Sequence, residues 1–166
     1  MRQEVLVTTT TDSPVGPLRL YAVPAGLCGL YFADHHPAPP ARLGEAVEAS
    51  VASVPFGAVL EQLAEYFAGT RVSFDLALCP AGTDFQLQVW AELRSIPAGE
   101  TMSYGELARR IRRPAAVRAV GTANSRNPLS IIVPCHRVVG ASGSLSGYAG
   151  GLDRKRWLLD HEAERG

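Results

Sequence analysis

The chain has no apolar run approaching the roughly 18 residues that a membrane-spanning helix needs. Its first residues, MRQEVLVTTTTDSP, lack the basic start, apolar stretch and small-residue cleavage site of a secretory signal. Neither membrane insertion nor export is expected, and a cytoplasmic location is. Cysteine is scarce: Cys28, Cys79 and Cys135 are odd in number and far apart. A disulfide scaffold shows an even, dense set, so reduced thiols are expected. Paired C-x-x-C ligand spacings are missing, and Cys135 with His136 alone does not close a tetrahedral zinc site. No internal repeat or low-complexity segment is present.

Net charge is also missing, since sixteen Lys/Arg balance sixteen Asp/Glu over 166 residues. The balance hides an asymmetry. Residues 1–80 carry four Arg against eight acids, or −4; residues 81–166 carry eleven Arg and Lys155 against eight acids, or +4. Arg109, Arg110, Arg112, Arg113, Arg118 and Arg126 fall in one stretch without an acid. A field of that sign draws polyanions, the alternative being a solvated helical face.

What is present suffices for a core. Hydrophobic residues make up 46% of the chain, enough for one domain or a compact domain with a smaller one. Residues 4–11 (EVLVTTTT), LRLYAV and LCGLYFA read as strands of an antiparallel meander, with DSPVGP and PAG as turns. Val59, Leu60, Leu63, Tyr66 and Phe67 share one face of a helix over 56–69, closed by Gly69. VSFDLAL (72–78) alternates like an edge strand, and CPAGT (79–83) reads as a linker. This divides the chain into an α/β unit over 1–79 and a mainly α unit over 80–166.

In the second unit, Asp84 is expected to cap FQLQVWAELRSI, and Ser103 with Glu106 forms a capping box over YGELARRI. Pro114 opens a second helix, AAVRAVGTANSR. Two short helices around a tight turn make a helix-turn-helix pattern, which the arginines on its turn and second helix tie to DNA phosphates. SIIV (130–133) reads as a strand, GASGSLSGYAGG (140–151) as a loop and LDRKRWLLDHE as a last helix.

Cys135 is the candidate nucleophile. A lone cysteine is more often a small core residue, which accounts for Cys28 and Cys79. Cys135 differs because Pro134, His136 and Arg137 surround it, a sequence that a strand interior does not welcome. Pro134 suits the first turn of a helix, whose free N–H groups and dipole would favour a thiolate at Cys135. His136 supplies a base; adjacent side chains diverge, so a bridging water is the expected geometry.

PCHRVVG, preceded by AVRAVGTANSRNP and followed by GYAGGLDRKRWLLDHE, resembles the O6-alkylguanine-DNA alkyltransferases, or methylated-DNA–protein-cysteine methyltransferases. The match runs from about Ser103 to Glu162. DSPVGPL and DFQ..VW resemble the family too, and the N-terminal third is the loosest part. The resemblance implies a ribonuclease H-like α/β unit followed by a winged-helix-like, mainly α domain. It implies repair of double-stranded DNA carrying O6-alkylguanine, with O4-alkylthymine as a further candidate, by a monomer acting singly or cooperatively along DNA. Cys135 is then the alkyl acceptor, His136 its water-bridged base and Glu162 the group that polarises His136. Asn127 ties the DNA-binding helix to the active-site turn, and Tyr104 meets guanine and helps protonate it. Arg118 fills the stack vacated by the flipped base, with Ala116 and Thr122 on the same DNA-binding helix. Val138 offers a carbonyl to the base, while Tyr148 and Ala149 cover the alkyl group; relatives often carry serine at the latter position. No cofactor is implied. Some relatives bind zinc through N-terminal cysteines and histidines; Cys28, His35 and His36 alone do not make a full set, so no zinc is expected. Two other readings predict different behaviour: a non-catalytic DNA-binding module, and a thiol hydrolase with multiple turnover.

Overall fold

The computed structural model describes residues 4–50 and 55–164, so the first three residues of the stretch read for a signal lie outside it. Strands β1 (Val7–Thr11), β2 (Leu18–Val23) and β3 (Gly26–Phe32) form the expected antiparallel meander. A short fourth strand, β4 (Val47–Glu48), pairs in parallel with β1, so the sheet is mixed rather than purely antiparallel, in the order β3-β2-β1-β4. β2 alternates buried Leu18, Leu20 and Ala22 with half-buried neighbours, whereas β3 is buried throughout because it is covered on both faces.

Helix α1 (Phe56–Ala68) packs Phe56, Val59, Leu63 and Tyr66 inward. It ends at Gly69, whose φ of 82° allows its N–H to return to the Glu65 and Tyr66 carbonyls. The expected strand over 72–78 does not form. Only Leu78 bridges to Leu27, flanked by bonds from Leu27 N–H to Ala77 O (2.9 Å) and from Cys79 N–H to Leu27 O (2.8 Å). The alternation there reflects side chains such as Phe74 packing on the core, not a ladder.

Helix α2 (Asp84–Leu93) begins one residue earlier than a cap at Asp84 implies. Thr83 is the cap: its hydroxyl accepts from Gln86 N–H (3.1 Å) while the Gln86 side chain accepts from Thr83 N–H (3.0 Å). Strand β5 (Met102–Ser103) leads into α3 (Tyr104–Arg110). Ser103 caps α3 through Glu106 N–H (3.1 Å), but the Glu106 carboxylate turns to Arg109 and Arg110, leaving half of the expected box. Helix α4 (Val117–Ser125) starts three residues beyond Pro114, which lies in the turn. Its inner face holds Val120, Ala123 and Asn124, and Trp90 Nε1 of α2 donates to Ala123 O at 2.8 Å.

The segment 130–133 is no strand either; it is a buried turn with Ile131 at φ 72°. Next to it, Leu30 N–H of β3 donates to Pro128 O (2.8 Å) and Ser130 N–H to Leu30 O (3.2 Å). The N-terminal sheet thereby holds the backbone that runs into Cys135. Strand β6 (Val138–Val139) pairs in parallel with β5, and α5 (Leu152–Ala163) closes the chain. One apolar core runs from Leu18 to Leu158 through both units. No helix among the described residues is long and apolar enough to cross a membrane.

Candidate active site

Pairing of β5 with β6 sets Met102 beside Val138 and Ser103 beside Val139. Tyr104 follows β5 at once and Cys135 precedes β6 by three residues, so both reach the same edge. They line a cleft of ≈ 340 Å³ together with Gly121 and Asn124 of α4 and with Tyr148 and Ala149 of the 140–151 loop. Cys135 is only 3% exposed, yet this cleft leads to it from the helix that carries Arg118. Gly150 lets the loop approach the sheet, since a Cβ there would meet the Phe32 ring at 2.5 Å.

The expected helix start at Pro134 is not found. Cys135–Arg137 is one turn of 3₁₀ helix, and Cys135 N–H is already bonded to Val133 O at 2.8 Å. Three residues align too few peptide dipoles to hold a thiolate. Burial pushes the Cys135 thiol above its usual range; the Asn127 amide, the Lys155 ammonium and the Tyr148 hydroxyl pull the other way without cancelling it. The expected resting thiolate is thus corrected to a resting thiol.

His136 is fully buried and its Nε2 lies 2.8 Å from Glu162 Oε2. Burial lowers its pKa despite the carboxylate, so the imidazole is neutral near pH 7. Burial would raise the Glu162 pKa, but hydrogen bonds from His136 and Arg137 hold it well below the carboxylate range. An ionised carboxylate only accepts, so Nε2 carries the proton and Nδ1 keeps its lone pair. Nδ1 is buried and has no protein hydrogen-bond partner among the described residues. It is a base waiting for a proton.

Arg137 holds Glu162 in place. Its Nε donates to Oε1 (2.8 Å), its Nη2 to Oε2 (2.9 Å) and its Nη1 to Ile96 O (2.5 Å). The bidentate geometry explains why arginine follows His136, since only a planar fork fits both oxygens. Asn127 donates to Val133 O (2.8 Å) and accepts from Leu129 N–H (3.0 Å), bracing the turn before Cys135. Asn124, which sequence reasoning missed, donates to Cys135 O at 3.3 Å.

Lys155 was missed as well. The chain's single lysine is fully buried, and its Nζ donates to Ser146 O (3.0 Å) and Gly147 O (3.4 Å), fastening the loop beside Tyr148. Its solitude in an arginine-rich half was the available signal. The Tyr148 hydroxyl is buried beside Cys135 and Ser130 and makes no hydrogen bond of good geometry among the described residues. Ala149 is buried and its carbonyl accepts from His36 N–H at 2.8 Å. Val138 is wholly buried in β6 and does not line the cleft.

Arg118 is exposed on the first turn of α4. Ala116 stands at the residue before that helix, and Thr122, one turn on, donates to Arg118 O at 3.2 Å. With Ala115, Ala119 and Arg126 they line a shallow, open surface beside Phe85. Small residues with arginines at the margin suit a groove edge with phosphates on either side. Among the described residues no group of three or more His, Cys, Asp or Glu is placed to hold a metal ion.

Two family models match the chain: "6-O-methylguanine DNA methyltransferase, ribonuclease-like domain" over residues 6–80 and "6-O-methylguanine DNA methyltransferase, DNA binding domain" over 84–164. A methylated-DNA–protein-cysteine methyltransferase of Mycobacterium bovis is 48% identical over 94% of this chain and 92% of its own length. One from Methanosarcina mazei is 58% identical over 64% of this chain and 68% of its own. The crystal structure of Mycobacterium tuberculosis O6-methylguanine methyltransferase superposes with a TM-score of 0.87 at 46% identity, covering 98% of this chain and 95% of that one. Mycobacterium tuberculosis OGT in complex with DNA gives a TM-score of 0.85 at 47% identity, covering 95% and 92%.

Proposed function

The chain belongs to the 6-O-methylguanine DNA methyltransferase family, and from that membership we propose how its residues carry out alkyl transfer from DNA. The protein is a DNA-repair methyltransferase: it takes the alkyl group from O6 of guanine in duplex DNA onto its own cysteine. O4-alkylthymine is the second substrate in this reading. The observation that carries it is the cleft joining Cys135 to α4, with a neutral, half-satisfied His136 next to Cys135 in the chain.

The damaged base lies inside a duplex, so it must swing out, at a cost of a few kcal/mol that is smallest for a damaged pair. Arg118 takes its place in the stack, and the small surface of Ala116, Ala119 and Thr122 fits the minor groove, where sequence is poorly read. That suits a protein that must inspect any sequence. In the cleft, Cys135 gives its proton through a water to His136 Nδ1, and Glu162 offsets the imidazolium charge. The sulfur attacks the alkyl carbon in line. A C–S bond forms, the C–O6 bond breaks, and guanine leaves with its electron pair on O6, protonated with help from the Tyr104 hydroxyl. Tyr148 and Ala149 cover the alkyl group. The thioether is not reversed at this site, so each molecule acts once.

We keep the division at residues 79 and 80, a monomeric state and a cytoplasmic location, the last supported by free Cys28, Cys79 and Cys135. A duplex bearing a radiolabelled O6-methyl group tests the function. The expected result is transfer of label to protein in a single burst that saturates at one per molecule, and none with Cys135→Ala. Label lost to solvent with continued turnover would favour a thiol hydrolase. Identical behaviour of wild type and Cys135→Ser in every assay would favour a DNA-binding module.

A further inference from the structure

A side chain of the N-terminal unit touches the carboxylate of the proposed relay. Tyr66 lies on α1 and is 1% exposed, and its hydroxyl donates to Glu162 Oε2 at 2.7 Å, across 96 residues of sequence. The same oxygen faces His136 Nε2 at 2.8 Å and Arg137 Nη2 at 2.9 Å. The Tyr66 ring is fixed by edge contacts with Phe67 and His161, and its carbonyl lies 2.7 Å from His161 Nε2. The hydroxyl is therefore presented rigidly to a carboxylate that touches no solvent-facing donor.

We propose that Tyr66 is a positioning residue for alkyl transfer, by which the N-terminal unit sets the basicity of His136 through Glu162. The inference rests on the alkyl-transfer reading above. Every donor on Oε2 draws on the same negative charge, so the hydroxyl weakens the pull of Glu162 on the His136 proton. Without it the carboxylate holds the imidazolium more firmly, and His136 stays protonated to higher pH. The other groups facing this pair are Arg137 and Cys135 on the same turn, Lys155 on α5, and Tyr148 on the loop. Tyr66→Phe changes none of them. Tyr66 keeps its own proton throughout, since burial and the adjacent carboxylate push its pKa far up.

The test is the pH profile of single-turnover transfer from an O6-methylguanine duplex. In wild type the rate climbs on the acid side as His136 loses its proton. Tyr66→Phe should move that limb to higher pH by about half a unit. Replacing Tyr66 with 3-fluorotyrosine, a stronger donor of nearly the same shape, should move it to lower pH, and serves alone if Tyr66→Phe does not purify folded. Opposite shifts around wild type establish the role. Uniform slowing without a shift of the limb, or profiles that superimpose, would overturn it and leave a purely structural tyrosine. Failure of wild type to transfer at all would sink the alkyl-transfer reading instead.

Discussion

Cys135 and His136 are both held in their uncharged forms by burial. Proton transfer from thiol to imidazole then costs less than ionising either group alone, because Lys155 faces the sulfur and Glu162 faces the ring. Glu162→Gln should slow transfer by about tenfold or more, which corresponds to about 1.4 kcal/mol. It should also lower stability by roughly 3–5 kcal/mol, because Arg137 is left buried without its counter-charge; burst kinetics and denaturant unfolding read the two effects separately. The proposed nucleophile and its neighbour stand out in the sequence as residues: a polar Cys-His-Arg triplet after an apolar run has no comfortable place in a core. The state of the sulfur was not. The sequence reading placed a helix dipole behind it, whereas the backbone makes a single 3₁₀ turn with the Cys135 N–H already spent. Asn124 escaped because nothing local marks an asparagine that turns inward, and Lys155 was marked only by being the one lysine among arginines.

Helices α3 and α4 were read with the right order and character, since capping and apolar spacing are local signals. Their starts were less legible. Pro114 fits a first helical position by preference, yet the turn retains it and α4 begins at Val117. Thr83 rather than Asp84 caps α2 because its hydroxyl and Gln86 satisfy each other's backbone partners. Thr83→Ala should therefore cost about 1 kcal/mol and lower the melting temperature by roughly 2–4 °C, measured by thermal unfolding. The two supposed strands at 72–78 and 130–133 are apolar because they lie against the core; the first contributes one bridge, at Leu78, and the second none, the neighbouring bridge being at Leu129. On α4, Arg118→Ala should slow repair of duplex DNA by about tenfold while leaving reaction with the free modified base nearly unchanged. Equal slowing on both substrates, in parallel single-turnover assays, would remove the stacking role from Arg118.

Across the whole molecule, the N-terminal unit supports the C-terminal site: β3 grips 128–130, His36 N–H holds Ala149 O, the core is continuous, and Tyr66 of α1 reaches Glu162. None of these was readable from the sequence, because each joins residues far apart in the chain. His35 is packed against Tyr31 and Phe32, and burial lowers its pKa to about 4, below the ordinary imidazole value. Its folded pKa is depressed, so its share of stability is complete above pH ~6.5 and is lost as pH falls toward 4. His136 acts in the same direction. Thermal unfolding across this range should show the melting temperature falling below pH ~6.5, with a smaller fall in His35→Phe. In the proposed reaction the fold as a whole brings one buried sulfur to the alkylated base. The most direct check is tryptic mass mapping after mixing the protein with an O6-methylguanine duplex. The peptide Asn127–Arg137 should gain the mass of one methyl group in stoichiometric yield, with the modification on Cys135; an unmodified peptide beside demethylated DNA, or a methyl on Cys28 or Cys79, would contradict the account.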